Sequence, residues 1–159
     1  MPIEAQALET VLDASGAAAF ALADEKHHKA ARACLTALGA QGTVFIAPPL
    51  FESEIDSILR RRVYLETLTT QAASAALRIV DALQVRIVYD VGTRALARAI
   101  AEQINQVRVY DSTYAALAQA RGCDLWTADE RFYNSAGAAL SFVRFVGNFN
   151  STGETDVAD

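Results

Sequence analysis

Tyr110-Asp111-Ser112-Thr113-Tyr114-Ala115-Ala116-Leu117-Ala118-Gln119-Ala120-Arg121-Gly122-Cys123-Asp124-Leu125-Trp126-Thr127-Ala128-Asp129 changes its periodicity once, at Gly122, and that change decides the fold. Before the glycine, Tyr114, Leu117 and Ala118 share one stripe at helical spacing. Glycine then supplies the left-handed conformation in which helices commonly end. After it, Asp124 to Ala128 is a short apolar run rich in strand-forming residues, closed by an acid. A helix, a tight stop and a short buried strand make half of a βαβ unit.

The same alternation extends outward in both directions. Leu8 to Asp13, Thr43 to Ala47, Val85 to Tyr89 and Ser141 to Val146 also read as strands, all short, largely apolar and flanked by turn or cap residues. That is the pattern of strands buried on both faces of a parallel sheet. Lys26 to Leu38 reads as a helix stopped at Gly39. Pro48-Pro49 opens the next, since proline is tolerated in a first turn but not later. That helix carries Phe51, Ile55, Ile58, Leu59 and Leu65 along one stripe, and Leu96, Ile100 and Ile104 form another. The expectation is an α/β chain: one three-layer domain over residues 1–149 around a central, mostly parallel sheet. Residues 150–159 are polar, acidic and without periodicity, and are expected to be disordered.

Composition agrees. A chain of 159 residues that is 52% hydrophobic supports one core and not two. Its net charge of −5 argues against a sequence-independent polyanion binder, whose affinity rests on many Lys and Arg contacts to phosphates. Arg60, Arg61, Arg62, Arg94, Arg98, Arg108 and Arg131 remain available to hold a phosphate backbone, although a solvated helix face accounts for most of them. Cys34 and Cys123 lack metal-ligand spacing and read as reduced thiols. The start has no basic leader and the Ala-rich run from Gly16 to Ala23 is too short to span a bilayer, so a cytoplasmic protein is expected.

The chemistry-bearing residues are acids. Asp13 and Asp129 each close a predicted strand, and Asp111 opens the helix that runs to Arg121. In open parallel sheets the ligand crevice lies beyond the carboxyl ends of the strands, where strand order reverses. Taken singly, each aspartate is also a good helix cap. A fourth acid comes from the helix after Pro48-Pro49, where Glu52 and Glu54 flank the apolar stripe on opposite sides and periodicity does not choose between them. Converging carboxylates need a divalent cation or raised pKa values. Oxygen donors with no His or Cys among them suit Mg²⁺ or Mn²⁺ and not Zn²⁺. Ser15 and Thr127 each stand two residues from an aspartate, and Arg61 and Arg131 are candidate phosphate contacts. His27 and His28 read as solvated, Trp126 as core, and Tyr114 as packing under the site helix. An aspartyl-phosphate enzyme or receiver domain would need a lysine near its nucleophile, and the only two lysines, Lys26 and Lys29, fall early in one helix.

Val11-Leu12-Asp13-Ala14-Ser15, Pro48-Pro49-Leu50 leading to Glu54-Ile55 and Leu59-Arg60-Arg61, Tyr110-Asp111-Ser112-Thr113-Tyr114, and Leu125-Trp126-Thr127-Ala128-Asp129 stand in the order of the motifs of a PIN domain. From Thr10 to Phe149 the chain resembles that family, and within it the VapC-type toxins. The resemblance implies a three-layer α/β/α PIN-like fold. It implies an acidic quartet of Asp13, Glu54, Asp111 and Asp129 as catalytic and metal ligands, selecting Glu54 over Glu52, with Ser15 and Thr127 in support. It further implies Mg²⁺- or Mn²⁺-dependent endonucleolytic cleavage of RNA, a protein antitoxin as partner, and a homodimer. Two other readings stay open: a housekeeping RNA-processing nuclease, and a catalytically silent PIN-like binding module.

Overall fold

Val11, Leu12, Ile46 and Leu125 are completely enclosed, because their strands lie at the middle of a sheet covered on both faces. The computed structural model describes residues 8–150. In chain order it runs β1 (Glu9–Leu12), α1 (Ala14–Ala21), α2 (His28–Ala40), β2 (Val44–Ala47), α3 (Leu50–Tyr64), α4 (Thr70–Ala82), β3 (Arg86–Ile87), α5 (Thr93–Gln103), α6 (Tyr110–Arg121), β4 (Leu125–Thr127), α7 (Glu130–Ala136) and β5 (Val143–Phe145). Short 3-10 turns cover Gly137–Leu140 and Val146–Asn148.

The strands form one sheet in the order β3-β2-β1-β4-β5, and every pairing is parallel. Helix α1 packs against α2, α3 and α4, while α5 packs against α6. This is the expected three-layer α/β/α arrangement. The chain builds outward from β1 through β2 to β3, then returns to the other side of β1 with β4 and β5. Strand order therefore reverses between β1 and β4, and a crevice is expected beyond their carboxyl ends. Val11 pairs with Leu125 and Leu12 with Trp126, which brings Asp13 and the Thr127–Asp129 segment to the same edge.

Several local expectations shift. Helix α2 runs through Gly39 to Ala40, and the left-handed residue is Gly42 at φ 78°. Thr43 N–H reaches back to the Leu38 carbonyl and Gly42 N–H to Gly39, the paired closure that ends many helices. Gly122, at φ 64°, ends α6 in the same way, with Cys123 N–H on the Ala118 carbonyl. The strand expected over Val85 to Tyr89 shrinks to two residues, because Val88 makes the last bond to β2 and Tyr89 turns into solvent. Leu65, expected on the α3 stripe, lies just past the helix end and is exposed. No expectation covered α4, although Thr69 caps it by accepting from Ala72 N–H and Ala76 and Val80 are buried at helical spacing. Trp126 is a core residue, as expected. The expected disorder of residues 150–159 falls, from 151 onward, outside the described residues.

Gly16 sits where α1 presses closest on the sheet. A Cβ there would meet Leu12 Cδ1 at 2.8 Å, Asp13 Oδ1 at 3.4 Å and the Trp126 carbonyl at 3.5 Å. Overpacking of this kind costs about 1–3 kcal/mol. Gly16→Ala is expected to lower the unfolding free energy by that amount, read as a lower urea midpoint at unchanged slope, with the helical circular-dichroism spectrum retained; an unchanged midpoint would mean that Leu12 yields freely.

Candidate active site

Asp13 is the most enclosed of the acids, at 5% exposure. It leaves β1 in an extended conformation and caps α1, with Oδ1 accepting from Gly16 N–H at 2.8 Å and from the Ser15 hydroxyl at 2.7 Å. Thr127 bonds to the same carboxylate from the neighbouring strand. The two hydroxyls are adjacent, Ser15 Oγ lying 3.2 Å from Thr127 Oγ1. Each also receives a backbone donor from beyond β4: Ala128 N–H on Ser15 Oγ and Asp129 N–H on Thr127 Oγ1, both at 3.0 Å. Asp129 caps α7, accepting from the N–H groups of Arg131 and Phe132. Both aspartates are thus the helix caps that their positions suggested, and both caps open on the reversal of strand order.

Glu54 and Asp111 come from the two helices that reach this edge. The Tyr114 hydroxyl, carried by the almost wholly buried Tyr114, donates to Glu54 Oε2 at 3.2 Å and ties α6 to α3. Glu52 is exposed, so the structure brings Glu54 and not Glu52 toward the aspartates. Asp111 stands in the first turn of α6, where Gln106 Nε2 donates to its Oδ2 at 3.3 Å. Gln106 is itself held by the buried Ser112, whose hydroxyl donates to Gln106 Oε1 at 3.1 Å. Neither the Tyr114 bond nor the Gln106 clamp was legible in the sequence. Tyr114 was identified only as packing, and Gln106 sits in a loop with no periodic signal.

The carboxylates act on one another. Burial pushes the Asp13 carboxyl up from 3.8 to about 6, against the lowering effect of its three hydrogen bonds, and the charge of Asp111 adds to the rise. Burial likewise pushes Glu54 up from 4.5 to about 7, with Tyr114 opposing and the charges of Asp13 and Asp111 contributing. Asp111 is raised by burial and then by Asp129. The four acids therefore form one electrostatic cluster. Asp111 and Asp129 also line a cavity of about 360 Å³ with Gln106, Arg108, Arg131 and Phe132. Arg61 is not brought to that cavity; it lines a separate groove on α3 with Asp56, Ser57, Arg60 and Tyr64.

The donors fit a hard divalent cation in kind, offering carboxylate and hydroxyl oxygens only. Among the described residues no three His, Cys, Asp or Glu side chains already stand at a spacing that encloses a metal ion. The histidines are engaged elsewhere and are less solvated than expected. His27 packs edge-on against Phe145 at 4.9 Å, and His28 Nδ1 lies 2.8 Å from the Ala19 carbonyl, so that nitrogen carries the proton. Cys34 and Cys123 are free thiols, and burial raises both.

Asp13 and Glu54 take up protons more readily in the folded chain than in the unfolded one. The folded state binds more protons between about pH 4 and pH 7, so stability without divalent cations falls as pH rises through that window. Glu54→Gln removes one such group. It is expected to raise the stability of the cation-free protein near pH 8, relative to the unchanged chain, by on the order of 1–3 kcal/mol. Partial exposure of Glu54 favours the lower figure. Urea unfolding in EDTA near pH 5 and near pH 8 measures it, and an unchanged pH dependence in the variant would refute the coupling.

Comparison with known proteins agrees with this geometry. The family model described as PIN domain matches residues 10–138. Among solved structures, PAE2754 from Pyrobaculum aerophilum superposes with a TM-score of 0.63 at 21% identity, covering 88% of this chain and 85% of that one. Mycobacterium tuberculosis VapC20, described as a sarcin-ricin loop cleaving toxin, superposes with a TM-score of 0.55 at 23% identity, covering 80% and 95%. A search of curated proteins finds no significant match. With its motifs in order, its acids at the reversal of a parallel sheet and the family model spanning most of its length, the chain belongs to the PIN domain family.

Proposed function

We propose that this chain is an Mg²⁺- or Mn²⁺-dependent endoribonuclease and the toxin of a toxin–antitoxin pair. The observation that carries the reading is the mutual electrostatic elevation of Asp13, Glu54 and Asp111 at the strand-order reversal, with Asp129 acting on Asp111. Such a cluster is unfavourable when ionised alone and gains most from a cation. Family membership adds that PIN domains are in general nucleases, and VapC20 supplies a structural precedent for RNA as substrate.

In this reading Asp13 and Asp111 hold the cation most directly, while Glu54 and Asp129 complete its shell. Side-chain rotation would have to admit it, since no three ligands are yet at enclosing distance. A bound divalent ion would supply Lewis-acid activation of the attacking water and offset charge on the phosphate. Ser15 and Thr127 keep the Asp13 carboxylate oriented and anchor the backbone that delivers Asp129. Tyr114 holds Glu54, and Gln106 holds Asp111. Arg131, which lines the cavity with Asp111 and Asp129, would contact the scissile phosphate; Arg61 would reach RNA only along its separate groove. Hydrolysis would leave a 5′-phosphate and a 3′-hydroxyl.

The partner reading uses the same electrostatics. An arginine from a protein antitoxin would neutralise the cluster as a cation does, because a guanidinium fork matches carboxylate geometry. We place the protein in the cytoplasm as a homodimer; among the described residues no helix is long and apolar enough to cross a membrane.

The decisive experiment incubates purified protein with a pool of tRNA and rRNA fragments in Mg²⁺, Mn²⁺ or EDTA. Cutting is expected with either metal and none in EDTA. Asp111→Asn is expected to reduce it by roughly 10²-fold or more, comparable to removing a group that stabilises transition-state charge. The cation should also raise the melting temperature near pH 8 more than near pH 5. A folded protein that cuts nothing with either metal would point to a catalytically silent module, and cutting that survives Asp111→Asn would place the active site elsewhere.

A further inference from the structure

Four carboxylates that repel one another also push apart the elements that carry them. Glu54 rides on α3, which packs on α1 and α4, while Asp129 caps α7, which packs on β5. Residues 22–27, between α1 and α2, tie these two elements together. At one end Arg62 of α3 pairs with Asp24 and, at 3.2 Å, with Glu25. At the other end Lys26 Nζ donates to Glu130 Oε2 at 3.0 Å, and His27 Nε2 lies 3.9 Å from the same oxygen. Glu130 opens α7 immediately after Asp129.

The segment is built to transmit a restraint. Its turns close on themselves: Glu25 N–H donates to the Leu22 carbonyl and His28 N–H to the Glu25 carbonyl, and Leu22 is buried. A pair of ring contacts doubles the tie to α7. His27 meets Phe145 edge-on at 4.9 Å, and Phe145 stacks on Tyr133 of α7 at 5.5 Å. Beneath the segment lies a cavity of about 190 Å³ lined by Ser15, Ala18, Glu25, His27, Ile58 and Ala128. Part of the segment therefore stands off the body, and its ends fix its position. Exposed ion pairs of this kind add little to overall stability. A cation shared among carboxylates is far more sensitive to their separation, because its ligands must meet a preferred geometry.

We propose that residues 22–27 brace the site, with Arg62 and Lys26 as positioning residues that set the separation of Glu54 from Asp129 and so the affinity for a divalent cation. Neither residue touches the reacting atoms. The inference rests on the metal-dependent nuclease reading and adds to it two residues outside the acidic cluster. The sign of the effect separates positioning from plain electrostatics. Lys26→Met or Arg62→Met removes a positive charge, which by Coulomb repulsion alone would tighten cation binding. Loss of the brace weakens it.

The test is Mn²⁺ binding to the purified protein, followed by the electron paramagnetic resonance of the free ion. Lys26→Met and Arg62→Met should each weaken binding roughly two- to fivefold, the range open to exposed ion pairs. The double variant should bind no worse than the weaker-binding single variant, because a brace released at one end is released altogether. Lys26→Arg keeps a partner for Glu130 and should keep the affinity. The side chain of Lys26 is 75% exposed, so its variants keep the fold. Lys29→Met removes the same charge from the only other lysine of the chain and should not weaken binding. If the single variants bind Mn²⁺ as tightly as the unmodified protein or more tightly, or if their losses multiply in the double variant, the brace falls while the nuclease reading stands. If the unmodified protein binds no Mn²⁺ and cuts no RNA, both fall together.

Discussion

The buried carboxylate of Asp13 is the constraint on which the rest of the structure depends. An ionised acid at 5% exposure is tolerated only because it is hydrogen-bonded on several sides. Its partners come from different elements: Ser15 and Gly16 from the first turn of α1, and Thr127 from β4. One charge therefore fixes where β1 ends, how α1 begins and how closely β4 lies alongside. The hydroxyls pass the constraint onward, since Ser15 and Thr127 take the backbone N–H groups of Ala128 and Asp129 and so aim the second aspartate. Small residues fit this neighbourhood. A Cβ at Gly16 would press on Leu12 Cδ1, and Ala14, Ala17 and Ala18 let α1 lie close to the sheet.

The same desolvation that makes Asp13 structurally decisive makes the corner chemically unfinished. Asp13, Glu54 and Asp111 are all displaced toward their protonated forms, and each is raised in part by another member of the cluster. Protons, a divalent cation or a guanidinium would each relieve the repulsion, and they would do so competitively. A proton neutralises one acid at a time, a cation can serve several at once, and an arginine adds directional hydrogen bonds. In the proposed reading, an antitoxin arginine and a catalytic metal would be alternative ways of satisfying one electrostatic demand. The nearby arginines do not meet that demand themselves. Arg108 and Arg131 line the cavity without pairing to its acids, so opposite charges stand side by side and remain available to a phosphate on one hand and a cation on the other.

Much of the fold was readable because its signals are local. Gly122 ends α6 where expected, since a left-handed closure needs a residue without a Cβ, and Pro49 starts α3 because its missing N–H is harmless there. Gly39 misled because a glycine also fits inside a helix; the closure at Gly42 is set by where the chain must enter β2. Leu65 looked like the end of an apolar stripe, but α3 had already ended at Tyr64. His27 and His28 were read as solvated from their charged neighbours, whereas contacts distant in sequence, Phe145 for one, decide their surroundings.

The sequence by itself determined the class of fold, the order of its motifs and the identity of three aspartates, because caps, strand ends and helix stops are encoded within a few residues. Periodicity could not separate Glu54 from Glu52, nor reveal that Tyr114 would hold Glu54 and Gln106 would hold Asp111. The motif resemblance had already selected Glu54, but the contacts that hold Glu54 and Asp111 belong to the tertiary structure. They depend on which helix faces which strand across a reversed sheet, and on how much water is excluded where four carboxylates meet. Burial and mutual repulsion are properties of that meeting, and no stretch of the chain carries them before it folds.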